Sequence, residues 1–130
     1  MSIAADKISA DEGILKLKEF LLAKVNGIKT VDFIEEGNSN KSCVISPIGD
    51  ISFEEQLGGQ LFFYEYEVEI ALISKKEQWL ENVRTFTEFL RQIRDFQKDE
   101  GKEHSVSSAT QQVTEDKHYI RITYRLKYAI

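Results

Sequence analysis

Three glutamates, Glu65, Glu67 and Glu69, recur at every second residue of Leu61–Leu72. In an extended strand that spacing sets them on one face, with neighbours about 7 Å apart. Carboxylates so placed suit acid–base chemistry or an oxygen-rich metal site. A hard cation would draw further Asp or His ligands from nearby, and the stretch supplies none. The competing reading is electrostatic. Arg121, Arg125 and Lys127 take alternate positions of Tyr119–Ile130. This basic row can face the acidic one across a sheet, at about 0.2–1 kcal/mol per opposed pair. It can equally meet the acidic row of another copy. All six residues are therefore candidates for subunit contacts before they are candidates for catalysis.

His104 and His118 are the only histidines, and Cys43 is the only cysteine. Zinc takes three or four protein ligands, and Cys43 belongs to a different hairpin, so no metal site is expected. The histidines are expected as exposed polar residues near loop ends. Cys43, followed by Val44 and Ile45, is expected in the core. No nucleophile-elbow pattern is present. Gly58-Gly59 lacks the Lys and Ser/Thr of a phosphate loop and predicts a turn. No cofactor is expected.

The elements that position these residues follow from periodicity. Ser9 with Glu12 has capping-box spacing, and Ile14, Leu17, Leu21 and Val25 then recur at helical intervals up to Asn26-Gly27. Ile28–Glu36 and Lys41–Ser46 predict two strands of a hairpin around Gly37–Asn40. Ile51–Gln60 predicts a loop, whose Phe53 and Leu57 are candidates for docking. Leu61–Ser74 predicts a long strand, apolar at Phe62, Tyr64, Tyr66, Val68, Ile70 and Leu72. Ser74 with Glu77 repeats the capping-box spacing. Trp79, Val83, Phe86, Leu90 and Ile93 then trace one face of a helix. His104–Val113 is a polar strand. Lys117–Ile130 is the last, apolar at Ile120, Ile122, Tyr124, Leu126, Tyr128 and Ile130. The order α-β-β-β-α-β-β predicts one α+β domain over residues 1–130, an antiparallel sheet of four to five strands against two helices.

Phe89 and Phe96 fall roughly 80–100° off the Trp79–Ile93 stripe on a helical wheel. They either widen the core face toward the first helix or form an aromatic edge for another subunit. Phe20 is a comparable outlier of the first helix.

The chain has 130 residues and a net charge of -5. That charge argues against direct nucleic-acid binding, whose affinity comes largely from phosphate neutralisation. No apolar run approaches the ~18 residues of a membrane span. The first residues lack the cationic-then-apolar pattern of an export signal, so assembly in a reducing cytoplasm is expected.

Taken together, "FFYEYEVEIALISKKEQWLENVRTFTEFLRQI", "HSVSSATQQVTEDKHY" and "IRITYRLKYAI" resemble the minor capsid and tail-terminator proteins of long-tailed bacteriophages and prophages. Trp79, Asn82, Leu90 and Ile93 hold the corresponding places after the long strand, as do Tyr124 and Arg125 in the last one. The resemblance runs from about Gly13 to Ile130 and lies in pattern and element order. It implies a non-enzymatic virion protein, assembled in the host cytoplasm. Such a protein forms a ring, commonly a hexamer, that caps the tail tube and partners tube and neck proteins. The rival reading is a small-molecule-binding module, with Tyr64, Tyr66, Tyr124 and Tyr128 around a pocket between sheet and helix.

Overall fold

Alternation in two long segments dominates the architecture. The computed structural model describes residues 9–34, 41–55, 58–99 and 104–130. The chain is α+β, two helices against a six-stranded sheet. Helix α1 is Ala10–Lys24, and strands β1 (Asp32–Phe33), β2 (Cys43–Pro47), β3 (Ser52–Glu55) and β4 (Leu61–Lys75) follow. One 3-10 turn, Lys76–Gln78, leads into α2 (Trp79–Asp99), then β5 (Ser105–Val113) and β6 (Lys117–Ala129). The strand order is β1-β2-β4-β6-β5, with β3 also on β4. β2 and β3 thus share one side of β4, β2 beside its second half and β3 beside its first.

The centre of the sheet is the β4–β6 pair, antiparallel from Phe63↔Ala129 to Lys75↔Lys117. Opposed residues share a face, so the two apolar rows merge. Val68, Ile70, Leu72, Ile122, Tyr124 and Leu126 are almost wholly buried there with Leu17 and Leu21 of α1 and Phe89 of α2. Gly13 permits the closest approach: a Cβ at this position would run into the Tyr128 hydroxyl. The Gly58-Gly59 turn between β3 and β4 has positive φ at both residues, as glycine allows.

Several expectations are corrected. β1 and β2 run parallel, so they are not a hairpin. Their starts are pinned side by side: the Ser42 hydroxyl accepts from the Lys29 and Thr30 amides, and the Ser42 amide donates to the Thr30 hydroxyl. Strands that begin together must run together. The Gly37–Asn40 turn lies outside the described residues. Part of the Ile51–Gln60 loop is strand β3. Ser74 does not cap α2, because β4 continues to Lys75 and the 3-10 turn intervenes. Ser9 does start α1, but its side chain makes no cap bond to the helix. Its hydroxyl instead bonds Asp11 and holds that carboxyl below its ordinary pKa.

The buried face of α2 is Asn82, Phe89, Ile93 and Phe96, with Val83 and Phe86 packed beside it. Trp79 and Leu90, expected on the core stripe, are exposed at 48% and 43%. The whole buried face is rotated toward α1, whose Phe20 ring lies 5.0 Å from Phe96. Phe89 and Phe96 therefore belong to the core and form no surface edge for another subunit.

Candidate functional site

The two charged rows lie on the sheet face that carries no helix. Glu67 opposes Arg125 and Glu65 opposes Lys127 in register. Arg121 reaches diagonally to Glu69, N–O 2.7 Å, and stacks over the Tyr119 ring. Arg125 sits between Glu65 and Glu67 at 3.6 and 3.7 Å. Lys127 turns to Glu54 of β3, 2.7 Å away, and lies over Phe63. Each cation thus has an acidic partner in its own chain, and all six residues are half-buried. Because β4 and β6 are immediate neighbours, the rows form a ladder within one subunit, and the sorting of charge by strand no longer points by itself to another copy. Such half-exposed pairs stabilise by up to about 1 kcal/mol each.

No protein-family model matches the chain, and no curated protein matches it.

Neither histidine is exposed, contrary to expectation. His118 is 1% exposed. The Asn82 amide nitrogen donates to Leu72 O, 3.0 Å, and to His118 Nδ1, 3.1 Å. An amide nitrogen only donates, so Nδ1 accepts and Nε2–H donates to Gln111 Oε1, 3.1 Å away. The ring is held neutral, and burial pushes its pKa below the ordinary value. His104 packs among Phe96, Tyr124 and Tyr128, its Nδ1 3.3 Å from the Tyr124 hydroxyl. Among the described residues no group of three or more His, Cys, Asp or Glu could hold a metal ion. Cys43 is buried, and burial pushes its thiol up to about 12.

An open cleft of about 910 Å³ lies where the α2 N-terminus meets the starts of β2 and β6. Lys29, Lys41, Lys75, Arg84, Arg91 and Lys117 line it, against only Glu81 and Glu88. Lys75 and Lys117 oppose one another in register, an arrangement that costs stability.

The opposite end is apolar. On the helix side of β4, burial falls steadily toward its start. Ile70 and Leu72 are 0% exposed, Tyr66 and Tyr64 are half-buried, and Phe62 is 43% exposed. Phe53, opposite Tyr64, is 58% exposed. Ile130, whose amide bonds Phe62 O, is 56% exposed. Phe53 is thus an exposed strand residue, not a loop residue, and Leu57 lies outside the described residues.

The overhang has a simple cause. The 15 residues of β4 extend about 50 Å, whereas α1 spans about 22 Å and α2 about 32 Å. Helices of those lengths leave one end of the sheet uncovered. Phe62 and Ile130 were missed as surface residues because alternation assigns a side chain to a face and says nothing of what covers it. The mismatch of element lengths was the signal in the sequence.

Proposed function

We propose that this chain is a non-enzymatic structural protein of a phage or prophage particle, resembling a tail terminator. It would assemble with copies of itself into a ring that caps the tail tube and meets the neck proteins. The observation that carries the reading is the overhang. Phe53, Phe62 and Ile130 form an exposed apolar strip at the end of a long sheet. Adjoining exposed apolar side chains at the end of a structural arm are what a docking surface requires. In a ring each such arm meets a different surface of the next copy, and closure follows from rotation. The resemblance in pattern and element order supplies the particle.

The tyrosines named for a small-molecule pocket do not line the open cleft beside α2. Tyr124 and Tyr128 are packed into the core. The Tyr64 hydroxyl accepts from the Ala10 amide, 2.9 Å away, and that of Tyr124 meets His104.

The decisive experiment disrupts this gene in the genome that carries it and images the particles. The reading expects tails of irregular length that fail to join heads. Normal particles at normal yield overturn it.

A further inference from the structure

The two edges of the sheet are built differently. On one side the edge is broken into β1, two residues including Asp32, β2, which ends at Pro47, and β3, which carries Glu54 and Glu55. Short strands, proline and charge are the devices that stop strange strands from adding to an edge. The other edge is β5, nine residues long, reading SVSSATQQV. It has no charged residue and no proline, and Ser107–Val113 are all exposed. A single irregularity near its start, between Val106 and Ser108, is the only guard. Among the described residues no element pairs with its outer side. An edge strand presents a row of N–H and C=O groups in the spacing that another strand matches.

We propose that the outer edge of β5 takes the β5 of a second copy of this chain, antiparallel, so that one sheet runs through both subunits across a two-fold axis. The sequence of the strand selects this occupant. Two-fold pairing sets each residue against the residue equally far from the centre in the same sequence, so a charged strand meets its own charge. The acidic β3 would repel itself. β5 opposes Ser, Thr, Ala and Gln to one another at no such cost, and the amides and hydroxyls can donate and accept across the join. With the axis at Thr110, each Thr110 faces the Thr110 of the other copy, and Ala109 faces Gln111. The contact uses a surface separate from the overhang and stands independently of the phage reading.

Sedimentation equilibrium and cysteine cross-linking test it. The native chain is expected to show a concentration-dependent dimer. Thr110→Lys and Thr110→Glu, each exposed and remote from the core, are each expected to weaken that dimer by roughly tenfold or more. An equal mixture of the two variants is expected to recover it, because lysine then faces glutamate across the axis. That recovery separates repulsion from misfolding. Single substitutions Ser108→Cys, Ala109→Cys and Thr110→Cys are expected to yield a disulfide dimer at the position nearest the axis. The native chain, whose Cys43 is buried, stays uncrosslinked. A native chain that is monomeric at every soluble concentration overturns the proposal. So does an oligomer indifferent to charge at Thr110, and that result leaves ring assembly through the overhang untouched.

Discussion

Ile70 and Phe62 lie on the same face of the same strand, yet one is sealed in the core and the other half in solvent. Both are large, apolar and in phase. The difference is the length of the layer above them, since the helices cover β4 from about Tyr64 onward and leave its first residues bare. The same alternation therefore makes a core at one end and a surface at the other. What a side chain contributes is decided by the element opposite it.

The largest effect expected on this contrast comes from Ile70→Ala. It removes buried methylenes from a site with nothing free to refill it and should cost about 2–5 kcal/mol in denaturant unfolding. Next comes Asn82→Ala, which strips the partner from Leu72 O and His118 Nδ1 at the covered end. About 1–3 kcal/mol is expected, read as a fall in melting temperature.

A pH dependence follows from the same network. The His118 pKa is lowered on folding, so its contribution is complete above the unfolded value of about 6.5 and is lost as pH falls below it. One histidine sets a ceiling on the slope of about 1.4 kcal/mol per pH unit. The His118→Gln variant should lack it, which melting curves between pH 7.5 and 5 (about the range over which histidine titrates) can show.

The smallest effect on stability is expected from Phe62→Ser, within about 0.5 kcal/mol. A loss comparable to that of Ile70→Ala would mean that the overhang is core after all.

Much of the fold was legible because two patterns are strong. The alternation of Leu61–Ser74 and Lys117–Ile130 marks both central strands to within a residue, and the polar run after His104 marks β5. Neighbour relations were not legible, and they decided the meaning of the charges. Glu65, Glu67 and Glu69 form a ladder because β6 lies directly beside β4, a fact of topology that neither strand encodes alone. The rotation of α2 was hidden for a related reason. Trp79 and Leu90 fit a helical stripe as well as Phe89 and Phe96 do, and the position of α1 chose between them. Asn82 stood out only through the resemblance, and the fold brought His118 and the Leu72 carbonyl to it. Of the residues expected at a docking site, Phe53 stands exposed.

Cys43 gives the molecule a clock. Its sulfur lies under the sheet, and with the thiol pushed up to about 12 almost none of it is thiolate at neutral pH. A thiol reagent can reach it only after the core between sheet and helices opens. The rate of labelling therefore reports openings of the core, without any added probe.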